Sequence, residues 1–319
     1  MTKVLIHTRA PQRHIARLTE AHPEVIFDGC NSFEKLPDTL ARFAPDVLFS
    51  VNFTTNEPYP RDAVLSSGIK WVSTGGSGTD HFAPWNTEDI TVTNAAGVAA
   101  SMMVEYVLGC AIHFNIDVPG LTTDKISRTW QSDRNVRSLS SQTLLIVGLG
   151  HTGRLLAERA KAFGMTVIGT RANPRTTPYC DEVHSSESLP QLWPRADVIA
   201  VCTPRLPSTL GLIGRTAFAL MKPDVVLINV SRGGVVDEAA LIEALSQNRL
   251  RGAAMDVFGT EPLPADDPIW EAPNLLISPH CSAVFDGWED TSITMFSDNL
   301  GRYLAGETLS NVVDPIRGY

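Results

Sequence analysis

Residues Thr143–Arg171 read TLLIVGLGHTGRLLAERAKAFGMTVIGTR, and this stretch decides the fold. Leu144 to Val147 is an apolar run of the kind that fills a buried parallel strand. It ends in Gly148-Leu149-Gly150-His151-Thr152-Gly153, after which apolar residues recur at helical spacing up to Phe163. Met165 to Thr170 reads as a second strand. A strand, a G-x-G-x-x-G turn, a helix and a strand in this order form the dinucleotide-binding fingerprint in its required context. The first glycine permits the tight turn, the second lets backbone approach a pyrophosphate, and the third lets helix and strand pack closely. The helix that opens here offers free N–H groups and the positive end of its dipole to phosphate. Residues 148–153 are therefore expected to hold a dinucleotide.

The end of the second strand bears on which dinucleotide. Sites for NAD carry an acidic residue about 20 residues beyond the glycines, where it binds the ribose 2′-OH. Here the strand ends Gly169-Thr170-Arg171, Arg175 follows, and no carboxylate stands between them. An arginine favours a 2′-phosphate through charge-assisted, often bidentate hydrogen bonds. NADP(H) is the expected cofactor, with NAD(H) as the alternative.

At 319 residues the chain is long for one core and suits two domains of ordinary size. A hydrophobic fraction of 43% and a charged fraction of 19% are those of a globular protein. The opening MTKVLIHTRAPQ holds too short an apolar run for a secretion signal, and no stretch approaches a membrane span. The five cysteines (Cys30, Cys110, Cys180, Cys202, Cys281) are scattered, without a C-x-x-C pair. That pattern argues for a reducing compartment, hence the cytoplasm, and against a zinc site. A net charge of −9 argues against nucleic acid as a partner. No metal site is expected.

Upstream of the fingerprint, short apolar runs alternate with helical stretches. Val4 to His7, Glu24 to Phe27, Asp46 to Val51, Ile69 to Ser73 and Ile90 to Thr93 read as strands, with helices such as His14 to His22 and Arg61 to Ser66 between them. This alternation implies βαβ units and a parallel sheet. Thr74-Gly75-Gly76-Ser77-Gly78-Thr79-Asp80 follows a strand and can form a backbone nest for a carboxylate. Gly97 to Asn115 reads as a helix apolar almost all round, in which Glu105 needs a partner. Residues 122–141 read as a polar, basic excursion. Downstream, Asp197 to Cys202, Val225 to Val230, Ala253 to Val257 and Leu275 to Ser278 bring the strands from Leu144 onward to six. The last helix, Trp288 to Leu304, is expected to return to the first domain.

Three polar residues follow strands of the second domain: Arg232 after LINVS, Glu261 after AAMDVFGT and His280 after LLISP. The carboxyl ends of strands in a doubly wound sheet converge on the ligand crevice. A histidine there can protonate a carbonyl oxygen as hydride arrives. A carboxylate beside it favours the imidazolium, and an arginine can hold a substrate carboxylate and polarise the carbonyl. Hydride transfer to a 2-keto acid is the chemistry these three residues suit.

With these motifs in hand, the chain resembles the D-isomer-specific 2-hydroxyacid dehydrogenase family, of the glyoxylate/hydroxypyruvate reductase kind. The stretches that carry the resemblance are GLGHTGRLLAERAKAFGMTVIG, CTPRLPSTLGLIG, MKPDVVLINVSRGGVVDEAALIEAL, GAAMDVFGTEPLPADDPIW and NLLISPHCSA. It implies an α/β fold of two doubly wound parallel-sheet domains: a flavodoxin-like substrate domain (1–97 with 285–319) and a Rossmann cofactor domain (98–284). It implies Arg232 as binder of the substrate carboxylate and carbonyl, Glu261 as partner of the histidine, and His280 as acid/base. It places Asp256 near the nicotinamide carboxamide and Thr203-Pro204 near the adenosine. Cys202, Val230, Arg232 and His280 join the cofactor set. Backbone N–H groups around Gly76, Ser77 and Gly78 are assigned to the substrate carboxylate, and Asn52-Phe53 to the substrate side chain. A homodimer acting on a small 2-keto or 2-hydroxy acid is implied.

Two departures count. Arg171 stands where the family usually has an acidic residue, which draws NAD preference into question. Glu261 stands where the superfamily's formate dehydrogenases carry Gln, which argues against formate as substrate. The competing reading is a cofactor-sensing binding protein like the C-terminal binding corepressors, which share the fold and triad.

Overall fold

The run that follows Gln142 forms the strand Thr143–Val147 at the middle of a parallel sheet, with the helix His151–Ala162 directly after its turn. These elements come from a computed structural model that describes residues 1–51, 58–79 and 81–315. The chain divides into two compact units: Met1–Val98 with Phe285–Tyr319, and Ala99–Val284.

In the first unit five strands, β1 (Lys3–His7), β2 (Ile26–Cys30), β3 (Val47–Ser50), β4 (Trp71–Thr74) and β5 (Thr91–Thr93), form an all-parallel sheet in the order β2-β1-β3-β4-β5. This is the flavodoxin-like order, whose direction of winding reverses between β1 and β3. Successive side chains of a strand point to opposite faces, and both faces here are apolar. Val4, Ile6, Val47, Phe49 and Trp71 pack on one face against Leu18 of the helix Pro11–Ala21 and against Ile293, Phe296 and Leu300 of the helix Trp288–Leu304. Leu5, Leu48 and Val72 pack on the other, against Leu36 and Leu40 of the helix Leu36–Phe43. Trp71 anchors the first face: its ring lies 5.3 Å from Phe296, and its Nε1 donates to Thr93 Oγ1 at 2.9 Å. The last helix thus closes the core that the first sheet opens. Polar contacts also join it to the first helix, among them Arg17 Nη2 donating to Thr294 Oγ1 at 2.7 Å.

The second unit holds β6 (Thr143–Val147), β7 (Thr166–Thr170), β8 (Glu182–His184), β9 (Val198–Val201), β10 (Val225–Asn229), β11 (Leu250–Met255) and β12 (Leu275–Ile277). They form a parallel sheet in the order β12-β11-β10-β9-β6-β7-β8. Counted from β6 this is the 3-2-1-4-5-6 order of dinucleotide-binding sheets with one more edge strand. The sequence reading of six strands is corrected to seven. The missed strand, β8, is three half-buried residues, Glu-Val-His, at the edge of the sheet, so no apolar run marks it. β2 also runs later than expected, from Ile26 rather than Glu24.

Two other expectations change. The helix Ala100–Asn115 buries Val104, Val107, Cys110, Ala111 and Phe114 at three- and four-residue spacing, and Glu105 falls on its exposed face, with Ser101 Oγ 3.5 Å from its Oε1. The polar, basic stretch 122–141 overlaps at its start with a helix, Val118–Ser127. Asp117 caps this helix by accepting from Gly120 N at 3.2 Å, and Arg134 ties back to Asp117 and Asp124. No helix among the described residues is long and apolar enough to cross a membrane.

The reversal between β1 and β3 carries a buried polar chain. His7 Nδ1 and Ser50 Oγ are 2.9 Å apart, and Ser50 Oγ and Tyr59 OH are also 2.9 Å apart. Burial lowers the His7 imidazole from 6.5 to about 4, against a smaller opposing hydrogen bond at the Ser32 backbone. Between these two values the unfolded chain binds a proton at His7 that the folded chain does not, so stability falls as pH drops through this window. In His7→Gln the dependence should flatten by up to about 1.4 kcal/mol per pH unit. Urea unfolding across the window measures it, and an unchanged slope would rule His7 out as its source.

Candidate active site

The turn after β6 is shaped by what its glycines leave out. Gly148 has φ +106, a left-handed value that side chains resist, and a Cβ there would stand 2.9 Å from the Cys202 carbonyl. A Cβ on Gly153 would meet the Gly148 carbonyl oxygen at 2.1 Å, so the helix lies as close to the turn as backbone permits. At Gly150 a Cβ would meet nothing within 4 Å. The chain's own packing does not require glycine at this position, which fits a residue kept bare for close approach by a ligand. Around the helix N-terminus, Arg154 and burial together lower the His151 imidazole, burial being the larger cause. Thr152 Oγ1 donates to Met103 Sδ at 3.6 Å, and Leu149 N donates to Thr170 O at 3.0 Å. The turn therefore offers an anionic ligand bare backbone, a helix dipole and a nearby guanidinium.

Arg171 leaves the end of β7, its N–H donating to His184 O at 3.1 Å. Its side chain is half-buried, and that of Arg175 is exposed. Neither guanidinium has a carboxylate or other acceptor among the described residues. Across the sheet, β9 runs into Cys202, Thr203 and Pro204. The Pro204 carbonyl accepts from Thr209 Oγ1 at 2.8 Å, which closes that loop on itself.

Arg232, Glu261 and His280 come together within the second unit, each on a turn that leaves the carboxyl end of a strand. After β10, Asn229 Oδ1 accepts from Ser231 N at 3.1 Å and Ser231 Oγ at 2.6 Å, an Asx-type turn that carries Arg232. Arg232 Nη1 donates to Ser231 O at 2.8 Å. Val230, 2% exposed, packs in the apolar core that also holds Val104, Ile146 and Ile228. A Cβ on Gly233 would stand 1.7 Å from the Phe258 carbonyl oxygen, so this turn is pressed against the one that carries Glu261. Glu261 Oε1 accepts from Phe258 N at 2.8 Å, and its Oε2 lies 2.7 Å from His280 Nδ1. Burial raises the Glu261 carboxyl, but hydrogen bonds from His280 and Phe258 outweigh it, with the charges of His280 and Arg232 adding to them. The carboxyl ends below its ordinary value and stays ionised. An ionised carboxylate only accepts hydrogen bonds, so His280 Nδ1 carries the donated hydrogen and Nε2 is left for other work.

His280 itself has φ +53. For a residue with a β-carbon this conformation is uncommon and has to be held in place. Its N–H donates to Asp256 O at 2.8 Å. The Asp256 carboxylate, with no exposed surface, accepts from Ser278 Oγ at 2.6 Å, Cys281 N at 2.8 Å and Ser282 N at 3.0 Å. Ser278 in turn lies 2.7 Å from Tyr106 OH of the helix Ala100–Asn115. The resemblance assigns Asp256 to the nicotinamide; in this structure the same carboxylate binds the turn that carries His280. Sequence reading passed over Asn229, Ser278 and Tyr106. A short polar residue at the strand end, three before Arg232 and two before His280, is the signal that points to the first two, whereas Tyr106 gives none.

In the first unit, Gly76, Ser77 and Gly78 lie in the turn after β4, Gly76 and Ser77 exposed and Gly78 half-buried. Asn52 and Phe53 lie outside the described residues. No group of His, Cys, Asp and Glu fit to hold a metal occurs among the described residues. Asp256→Asn keeps one acceptor oxygen but sets an NH2 group against the N–H of Cys281 or of Ser282, and should cost about 1–3 kcal/mol of stability. Affinity for NADPH should be unchanged. Fluorescence titration checks this, and a large loss of NADPH affinity would show that the carboxylate acts on the cofactor instead.

Comparison with known proteins agrees with this geometry. The family model for the NAD-binding domain of D-isomer-specific 2-hydroxyacid dehydrogenases matches residues 111–282. D-3-phosphoglycerate dehydrogenase of Methanocaldococcus jannaschii is 32% identical over 250 residues, covering 77% of this chain and 48% of that one. The chain spans about half the length of the curated phosphoglycerate dehydrogenases it matches. A family member from Aeromonas salmonicida has a solved structure of TM-score 0.85 at 29% identity, covering 98% of this chain and 99% of that one. A D-isomer-specific 2-hydroxyacid dehydrogenase from Xanthobacter autotrophicus, solved with NADPH and MES, has TM-score 0.84 at 27% identity over the full length of both chains. On the strand order, the glycine turn and these matches, the chain belongs to the D-isomer-specific 2-hydroxyacid dehydrogenase family, whose members are NAD(P)-dependent oxidoreductases.

Proposed function

We propose that this protein is an NADP(H)-preferring reductase of small 2-keto acids, of the glyoxylate or hydroxypyruvate type, that yields the D-2-hydroxy acid. The observation that carries the reading is the 2.7 Å contact between Glu261 Oε2 and His280 Nδ1 beside Arg232. Gly148, Leu149, Gly150, His151, Thr152 and Gly153 would hold the pyrophosphate, and Cys202, Thr203, Pro204 and Val230 would line the adenosine and nicotinamide sides. Arg171 and Arg175 would take a 2′-phosphate. Support for NADP(H) comes from the absence of an acidic residue at the end of β7, from the uncommitted guanidiniums there and from NADPH in the Xanthobacter relative. NAD(H) remains the second cofactor of this reading.

When bound, the nicotinamide supplies or accepts the hydride. The chain's own groups do the rest. Arg232 holds the substrate carboxylate and polarises the carbonyl oxygen. Glu261 accepts from Nδ1 of His280 and so leaves Nε2 as the nitrogen that can exchange a proton with substrate. Nε2 then gives a proton to the carbonyl oxygen as the alkoxide forms, and takes it back in the oxidative direction. In the first unit, backbone N–H groups of Gly76, Ser77 and Gly78 would bind a carboxylate, and Asn52 and Phe53 would meet the substrate side chain.

A cytoplasmic homodimer completes the proposal. Ile126, Trp130 and Val136 stand 78%, 96% and 57% exposed on one stretch of the second unit, an apolar display that suits a second copy of the chain.

Loss of NADPH absorbance with a panel of 2-keto acids tests the reading, and no turnover of any of them with either cofactor would sink it. His280→Ala should lower turnover about 10²–10⁴-fold with cofactor affinity unchanged. Arg171→Asp should shift kcat/KM towards NADH. An unaltered cofactor ratio would remove Arg171 from the 2′-position.

A further inference from the structure

The glycine-rich turn after β4 is held by three consecutive carbonyls, those of Gly75, Gly76 and Ser77. Ser292 Oγ, on the helix Trp288–Leu304, donates to Gly75 O at 2.8 Å. Thr74 Oγ1 donates to Gly76 O at 2.7 Å, and Ala95 N reaches the same oxygen at 3.0 Å. Asn94 Nδ2 donates to Ser77 O at 2.8 Å. The three side chains are buried: Thr74 is 2%, Asn94 5% and Ser292 1% exposed. Gly75 is wedged in place as well. Its N–H donates to Ser50 O at 2.9 Å, and a Cβ on it would stand 2.8 Å from Val51 Cγ2.

Peptide geometry turns these tethers into a directional device. In a trans peptide the carbonyl of one residue and the N–H of the next point to opposite sides of the same plane. All peptides of this turn are trans. Drawing the oxygens of Gly75, Gly76 and Ser77 inward therefore turns the N–H groups of Gly76, Ser77 and Gly78 outward. None of these three N–H groups has an acceptor among the described residues. Successive outward N–H groups form a concavity for an anion, and a donor on each carbonyl polarises its peptide and strengthens the N–H at the other end.

We propose that Thr74, Asn94 and Ser292 are positioning residues that aim this nest at the carboxylate of the substrate. The identity of the substrate rests on the reading above; the aiming of the N–H groups at a carboxylate does not. Ser292 also assigns the last helix a task beyond closing the core, since it fixes the first peptide of the nest.

Oxalate, a small dicarboxylate, serves as the probe, with the full-length ¹⁵N-labelled protein in the presence and absence of NADP⁺. In the unmodified protein, oxalate should move the amide resonances of Gly76, Ser77 and Gly78. Thr74→Val, which keeps the shape and deletes the hydroxyl, and Ser292→Ala should each weaken oxalate about tenfold. Thr74→Ser, which keeps the hydroxyl, should restore it. Affinity for NADP⁺, held by a turn of the other unit, should stay constant across the set. Unmoved amides in the unmodified protein, wild-type oxalate affinity in both Thr74→Val and Ser292→Ala, or a loss of oxalate and NADP⁺ affinity in step would each overturn the proposal. A chain that binds oxalate at these amides yet reduces no 2-keto acid would keep the nest and its tethers while removing the reductase reading.

Discussion

A carboxylate with no exposed surface organises the chemistry of the second unit. An unpartnered charge so placed would cost several kcal/mol, so Asp256 has to be met by donors. The donors it meets are Ser278 Oγ, Cys281 N and Ser282 N, and the N–H between them, that of His280, goes to the Asp256 carbonyl. One residue at the end of β11 thereby sets the whole turn that follows β12. The left-handed backbone of His280 follows from this clamp, and so does the direction in which its ring meets Glu261. The desolvation penalty of one buried charge thus becomes the rigidity of a catalytic side chain.

The same economy governs the first unit with neutral groups. Its sheet is apolar on both faces, so polar side chains gather where the strands end. His7, Ser50, Thr74 and Asn94 all stand at or just past carboxyl ends of β1, β3, β4 and β5. Thr74 and Asn94 bind backbone carbonyls, and the consequence appears on the opposite side of each peptide plane, as N–H groups turned outward. In both units the reactive or binding atom is thus oriented indirectly, by buried hydrogen bonds to the peptides around it.

The glycines show how far local sequence reaches into such arrangements. Gly148, Gly153 and Gly233 are required by contacts of backbone with backbone, at distances no β-carbon can tolerate. Gly150 is different, because nothing in the chain crowds it. Within one six-residue motif, two glycines answer to the fold, and the third is left for what the fold binds.

The fingerprint at Thr143–Arg171, the apolar runs of the central strands and the order Arg232, Glu261, His280 were all legible without coordinates. Each depends on a residue's own type or on near neighbours, since glycine's reach, strand burial and strand-end polarity are local properties. Strand β8 was not legible, because three polar-flanked residues at a sheet edge bury too little to leave a pattern. Glu105 misled for the opposite reason: a run apolar in composition still turns one stripe to water. The contacts that hold the site lay furthest from view. Tyr106 meets Ser278 across 172 residues and Ser292 meets Gly75 across 217. The sequence by itself determined the family, the two-sheet α/β architecture and the residue types that suit hydride transfer. Only the tertiary structure decided which nitrogen of His280 meets Glu261, what holds its turn and which way the N–H groups of Gly76 to Gly78 point. Those are matters of hydrogen-bond direction between distant segments, and direction exists only once the segments have packed.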